Sequence, residues 1–488
     1  MTAIGILTAA LVLVTLVRAP QRLWELAILT TPFQASTLME ISASSKESGL
    51  APVYLVLAVA CLYELSQWLV QRGLPQPILR VSMPALCFLG WGVLTALAIP
   101  SCFPGWLVVA PYSIYTLSRI EPSFSNVTHC LYLTLLLASM ILLALHVHRH
   151  GQQRVQELIR SYRAAVWISA GIIVWHHLSL YFGVPYPSEF LYNHPGVVHY
   201  EGNGIRPELA LASGILRASG PFSESAIAAA YLGGGFGLLL AELLCGRRCL
   251  WPLLKAAILA IVILSVVSTS SIVILAGTVL FFLLTGLRPG RRRQVAGRLV
   301  LLSMILLALP LSILVVSPEA RDEAELAVNY LLLSKFDSTT DASARSRTVI
   351  EENALEVFAS SYGIGAGLGS NVAFTAPGYI ASSTGIVGLG LCAWFAYRLR
   401  KAYRGRLREV ADGALIALDI RRLGGAMVAL IIAGLAGSHP LLFVPVWYLV
   451  LGIMIGGSCS AQLQDQPCAA IHPASYPTPL KPGLLAQD

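Results

Sequence analysis

The sequence predicts an all-α polytopic membrane protein, and three observations carry the prediction. Of the 488 residues 56% are hydrophobic and only 12% are charged, about half the ~25% charge of soluble domains. Mean hydropathy is +0.71, and the apolar residues fall in repeated blocks close to the ~20 residues a helix needs to cross a bilayer. Lys and Arg gather in alternate connections between those blocks. Such a composition excludes a soluble enzyme, a secreted disulfide scaffold, a nucleic-acid binder and a disordered chain as descriptions of the whole.

The blocks predict about 12 transmembrane helices in one domain, 1–457, at 2–17, 51–70, 81–99, 129–147, 164–183, 225–244, 253–267, 271–286, 299–316, 382–397, 423–436 and 441–457. If the first begins in the cytoplasm, the inner connections 71–80, 148–163, 245–252, 287–298 and 398–422 hold 21 Lys and Arg. The outer segments 18–50, 100–128, 184–222 and 318–381 hold 10. Positive residues favour cytoplasmic loops. Both termini are therefore expected in the cytoplasm, and the net charge of +8 reads as topology, not as a sign of nucleic acid. The first span is not expected to be a cleavable signal, because Arg18 and Arg22 follow Val17 where small residues would be needed. Residues 458–488, rich in proline and polar residues, predict a disordered cytoplasmic tail. Among nine cysteines only Cys102 and Cys130 fall on the outer side; a bond between them is left open, and the chain needs no disulfide framework.

Long connections are usually functional or disordered. Segment 18–50 opens with LWELAILTTPF, which reads as an amphipathic anchor on the membrane surface. Segment 184–222 holds Tyr186, Tyr192, His194, His199, Tyr200, Glu201, Arg206 and Arg217. The large loop 318–381 is expected to be partly helical. Ser317-Pro318-Glu319 supplies a cap, a first-turn proline and an early acid. Further on, TVIEENALEVF places Ile350, Ala354, Val357 and Phe358 on one side and Glu351, Glu352 and Glu356 elsewhere, then ends at Tyr362-Gly363 with the run GIGAGLGS. The basic inner stretch 398–422 reads as contact with anionic lipid. No internal repeat is visible, which weighs against an inverted-repeat transporter.

Two arginine motifs stand at boundaries between loop and helix. Arg217-Ala-Ser-Gly220-Pro-Phe-Ser223-Glu224 leads into the sixth span. A guanidinium there is a permanently charged fork matching phosphate oxygens, beside a helix start that also favours anions; an arginine snorkelling to water is the plain alternative. The second, Arg345-Ser-Arg347, opens the helix that the glycine run closes. Cations are disfavoured at a helix start, so an anionic ligand would account for them, as would pairing with Asp337, Asp341 or Glu351. Glu224, seven residues after Arg217, can orient it, accept a proton, or simply favour the helix N-terminus. His194 and His199 read as loop histidines, while His176, His177 and His439 can face a cavity. His146, His148 and His150 fit anionic headgroups better than metal.

The strings RASGPFSESAIAAAYL (217–232), SRTVIEENALEVFASSYGIGAGLGS (346–370) and GIVGLGL (385–391) resemble the bacterial O-antigen polymerase and O-antigen ligase superfamily. Its members show an arginine, a glycine and a Ser-Glu pair entering a mid-chain span, then a large periplasmic loop with Ser-Arg, "AL" eight residues on, and Gly-x-Gly-x-Gly. Arg347 and Leu355 keep that spacing. The likeness covers about 200–400; the flanking spans match in number and hydropathy only. Ligases of the superfamily carry His and a polar neighbour nine residues before Gly-x-x-Gly. Gly385 and Gly388 are present here, but Phe374-Thr375 stand in the histidine's place, and 318–381 contains no histidine. That departure favours the polymerase branch.

The resemblance implies a GT-C-like glycosyltransferase of the bacterial inner membrane. It would polymerise undecaprenyl-diphosphate-linked repeat units at the periplasmic face, for O-antigen, capsule or exopolysaccharide, without metal or cofactor. Arg217 and Arg347 would be catalytic, with Glu224 as orienter or base. Arg206, Arg345, Gly220, Ser223, Tyr200, Gly365 and Gly367 would contact substrate. Tyr186, Tyr192 and Tyr200 are candidates for sugar stacking, and loop 318–381 would cover the cavity, its glycines permitting movement or close sugar approach. Partners would be the lipid-linked glycan and the bilayer, with a chain-length regulator left open. An O-antigen ligase or protein O-oligosaccharyltransferase shares the donor but not the acceptor; a secondary transporter or lipid-linked glycan flippase would make no new glycosidic bond.

Overall fold

Backbone in hydrocarbon must satisfy its hydrogen bonds internally, which is why long apolar stretches become helices. The computed structural model describes residues 2–43, 46–71, 75–103, 105–109, 117–191, 193, 217–245, 250–285, 297–304, 342–410, 415–437 and 444–460. In chain order they form α1 (Ala3–Arg18), α2 (Leu23–Thr30), β1 (Met39–Ala43), β2 (Lys46–Leu50), α3 (Pro52–Gln71), α4 (Gln76–Cys102), β3 (Leu107–Val109), β4 (Leu117–Arg119), α5 (Phe124–Phe182), α6 (Ser225–Cys245), α7 (Leu250–Ser265), α8 (Thr269–Thr285), α9 (Ala342–Ser360), α10 (Ala376–Glu409), α11 (Leu415–Leu435) and α12 (Pro445–Cys459). This is the mostly helical architecture expected of a membrane protein. Five helices, α3, α4, α5, α6 and α10, are long and apolar enough to cross a bilayer, and α1, α7, α8 and α12 are shorter apolar helices. Helices occupy the expected span positions wherever residues are described; of 299–316 only the stretch to 304 is. The two antiparallel hairpins, β1–β2 and β3–β4, were not legible as strands. The helix expected after Ser317 and the tail from 461 lie outside the described residues.

The 59-residue α5 absorbs the expected inner connection 148–163 and turns at Gly151, whose φ of 74° and ψ of −156° are non-helical. Across that turn the Arg154 Nε donates to the His146 Nε2 at 2.8 Å. Contacts between neighbours then order the bundle. Gly452 on α12 packs on Met140 and Leu143, and Gly456 on Ala144 and Val147, so α12 runs parallel to the first half of α5. On α6, Gly234 meets Tyr162 and Leu430, and Gly237 meets Gly425, which sets α6 antiparallel to α11 and to the second half of α5. α6 is buried over nearly its whole length. Its glycines allow the close backbone approach that drives helix association in lipid.

One end of the bundle therefore gathers Glu64, Arg149, Arg154, Glu242, Arg406 and Arg422; the other gathers Leu38, Ile173, Gly220 and the glycine run 363–370. We call these the arginine-rich end and the glycine-run end.

The first 50 residues depart from expectation. The Thr2 amide bonds to the Leu38 carbonyl, while Arg154 bonds Glu25 at 2.5 and 2.6 Å and also the Gln21 carbonyl. Hence α1 runs from the glycine-run end to the arginine-rich end and α2 turns back. The stretch LWELAILTTPF is not a surface anchor: Leu23, Trp24, Ala27 and Ile28 are buried against α3 and α5. Only one charge interrupts it, and Glu25 finds its partner 129 residues away. Segment 18–50 is thus not a single loop at one end, and Thr2 and Cys459 lie at opposite ends, contrary to the expectation that both termini share a side. Moving Arg18 and Arg22 to the arginine-rich end sharpens the asymmetry of positive charge.

Candidate functional site at the glycine-run end

The glycine run is built into this end of the bundle. Gly363, Gly365, Gly367 and Gly369 all have positive φ, between 77° and 96°, a region that L side chains enter only with strain. A Cβ on Gly365 would meet Gly385 and Ser383, one on Gly367 the Thr95 carbonyl, and one on Gly369 the Ser125 carbonyl. α10 is itself broken at Gly385 (φ 67°), which frees carbonyls that a continuous helix would use. The run supplies their partners: the amides of Ala366 and Gly367 donate to Ser382 and Ser383 at 2.7 and 2.9 Å, and Ile386 donates back to Gly363 at 2.8 Å. The Trp91 indole takes the Thr384 carbonyl at 2.7 Å. Gly365 and Gly367 are thereby buried against backbone, and the expectation that they move or touch sugar gives way to a packing role.

α9 lies over this platform. Ile350, Ala354 and Val357 are buried and Glu352 and Glu356 exposed, as the helical pattern requires, and the helix ends before Tyr362 and Gly363, both at positive φ. Glu351 accepts from the backbone amides of Phe374 and Thr375, both at 2.5 Å, and from the Thr375 Oγ1 at 2.9 Å. It thus serves the α10 N-terminus, where the helix dipole favours an acid. One turn earlier on α9, the Arg347 guanidinium stands over the Phe374 ring, 5.4 Å from its centroid. Cation–π attraction uses the flat face of a guanidinium and leaves its N–H edge available to oxyanions. Arg345 lies on the same helix, but its side chain is outside the described set.

The other motif docks on the second half of α5. Gly220 (φ 61°) is buried against Ile173; its amide donates to the His176 Nδ1 at 3.2 Å, and its carbonyl accepts from the Tyr186 hydroxyl at 3.0 Å. Tyr186 stacks on His176, 4.4 Å between centroids and 9° between planes, so one face of this expected sugar platform is already covered. His176 is correspondingly a docking residue for Gly220 and Tyr186. The next residue, Pro221, bonds through its carbonyl to the Ala35 amide. Arg217, Ser223 and Glu224 are all half-buried, with Glu224 immediately before α6. Arg206, Tyr192, Tyr200, His194, His199 and His439 lie outside the described residues.

Arg217 and Arg347 therefore sit at the same end of the bundle, away from the arginine-rich end, on segments 130 residues apart in sequence. Sequence reasoning missed Glu351 as a clamp, Phe374 as the ring beneath Arg347 and His176 as the acceptor for Gly220; each partnership spans 23 residues or more and leaves no local pattern. At the opposite end His146 is buried between Glu64 (3.0 Å) and Arg154, which corrects its expected contact with headgroups. Cys102 and Cys130 form no disulfide.

Comparison with protein-family models and with curated proteins finds no match to this chain. What the fold defines is a class: a mostly helical protein with several helices suited to a bilayer.

Proposed function

We propose that this chain is a membrane glycosyltransferase that polymerises undecaprenyl-diphosphate-linked repeat units at the outer face of a bacterial inner membrane. The observation that carries the reading is the placement of Arg217 and Arg347 at one end of the bundle, opposite the end crowded with cytoplasm-favouring arginines. An acceptor hydroxyl on a fresh repeat attacks the anomeric carbon of the growing chain; the bond from that carbon to the diphosphate breaks, and the electron pair leaves with the diphosphate. Negative charge grows on that group in the transition state. Fixed guanidiniums stabilise it more there than in the ground state, which is the condition for catalysis. The hydroxyl proton passes to a base, for which Glu224, seven residues from Arg217, is the nearest carboxylate in sequence. α9 lies over this end, clamped by Glu351.

Phe374, in the place where the ligase pattern has histidine, supports the polymerase branch, because the position faces Arg347 and offers only a ring. The test is the lipid-linked material that accumulates in cells lacking the protein. A single repeat unit on the carrier is expected; full-length polymer on the carrier would favour a ligase instead. Unpolymerised units held on the cytoplasmic face would favour a flippase.

A further inference from the structure

Three arginine sites at the arginine-rich end are satisfied to different degrees. Arg154 bonds Glu25 with both Nη atoms, Glu157 at 2.6 Å, His146 and the Gln21 carbonyl. Arg163 and Arg422 share Glu242, and Arg422 also holds Asp419 at 2.7 Å. Arg406 is different. Its side chain is 3% exposed, yet its one partner among the described residues is the largely exposed Glu409, reached by Nη1 at 3.4 Å. Its Nε and Nη2 are buried with no hydrogen-bond partner among the described residues. A buried cation that keeps two donors idle is strongly destabilising unless an anion completes the shell. At the other two sites every guanidinium reaches a carboxylate through its Nη atoms, although the Nε of Arg163 and of Arg422 is also buried without a hydrogen-bond partner among the described residues.

The position along α10 says what kind of anion fits. Helical spacing puts Arg406 on the face of Leu399 and Tyr403, turned inward, with Arg404 and Arg408 on the opposite, exposed face. The Tyr403 hydroxyl packs on Gly424 of α11, so the Arg406 face looks toward the start of α11. A guanidinium fork held rigid by burial at the end of a membrane bundle, with its Nε and Nη2 donors unfilled among the described residues, matches a phosphate oxygen pair. We propose that Arg406 is the base of a phosphate-binding site between α10 and α11, distinct from the glycine-run end. It would be filled by the headgroup phosphate of an anionic lipid or by a free phosphate. The inference does not depend on the catalytic reading.

The test follows thermal unfolding of the full-length protein in phosphatidylcholine bilayers, in the same bilayers containing phosphatidylglycerol, and in phosphatidylcholine with millimolar inorganic phosphate. Wild type is expected to melt several degrees higher with one phosphate source: a shift with phosphatidylglycerol alone identifies a lipid, and a shift with inorganic phosphate a soluble ligand. Arg406→Gln should weaken that ligand about tenfold and abolish the shift, whereas Arg404→Gln and Arg408→Gln should keep it. The proposal is overturned if neither source shifts wild type, if Arg406→Gln responds like wild type, or if the exposed variants lose as much. Should Arg406→Gln not fold, Arg406→Lys retains the charge without the fork and is expected to lose most of the shift; a full shift in that variant would equally overturn the site.

Discussion

The guanidinium of Arg347 stands 5.4 Å from the centroid of the Phe374 ring, so the arginine near the start of α9 is positioned by a ring from the segment that leads into α10. Fixing a long side chain on an aromatic face removes rotamer freedom before any ligand arrives, which is how a charge is made ready for a transition state. Phe374→Leu is expected to keep the fold and lower glycan lengthening about tenfold, whereas Phe374→Tyr should retain most activity. Rates with a purified lipid-linked repeat unit check this; equal rates in the leucine variant would remove the positioning role.

Glu351 is a positioning residue of another kind. Its carboxylate takes three donors at the α10 N-terminus, and charge-assisted bonds of that sort contribute about 1.5–3 kcal/mol each at most, less when they act together. Glu351→Ala should lower stability by about 2 kcal/mol, read as a lower melting temperature in detergent, with Glu351→Gln in between.

The break at Gly385 interlocks with the glycine run, and a Cβ there would collide with the Gly363 and Ile364 carbonyls at a positive φ. Gly385→Ala should therefore cost more than about 3 kcal/mol or prevent accumulation of folded protein. Gly390, on the same helix in open space, is the control: Gly390→Ala should be neutral or stabilising by about 0.5–1 kcal/mol. Equal behaviour of the two would mean that the interlock is not as described.

Arg154 ties α2 and α5 together through Glu25 and His146. Arg154→Met leaves those groups buried without their cation, and a loss of about 3–5 kcal/mol is expected. The double change Arg154→Met with Glu25→Gln should recover part of it, because the stranded acid is removed as well. Thermal unfolding of the two variants decides.

Much of the bundle was legible because lipid imposes a crude rule, about twenty apolar residues to each crossing, and α3, α4, α6 and α10 obey it. The helix α9 was legible too, down to its buried face and its stop at Tyr362-Gly363, since a polar loop helix shows its periodicity cleanly. What escaped was decided by distant partners. Glu25 made α2 look amphipathic until Arg154 neutralised it, and that single pairing reversed the direction of α1. The glycine run read as freedom of movement, whereas the broken α10 uses it for close backbone contact. At the site, Arg217 and Arg347 were visible as residues, but Glu351, Phe374 and His176 matter through contacts that no spacing rule encodes.

The reversed α1 makes its own prediction. Thr2 lies with Leu38 at the glycine-run end, the end of the fully exposed Tyr362. In a cysteine-free background, a membrane-impermeant thiol reagent applied from outside should label Thr2→Cys and Tyr362→Cys but not Arg408→Cys. Labelling of Thr2→Cys only together with Arg408→Cys would restore the N-terminus to the arginine-rich side.

The most direct test of the two-arginine site is chain growth by the purified protein on an undecaprenyl-diphosphate-linked repeat unit, read as a ladder of products. Wild type should give the ladder. Arg217→Ala and Arg347→Ala, each shown to unfold at the wild-type temperature, should slow it about a hundredfold or more, with Arg347→Lys falling between. A ladder of wild-type length and rate from both alanine variants would contradict the account.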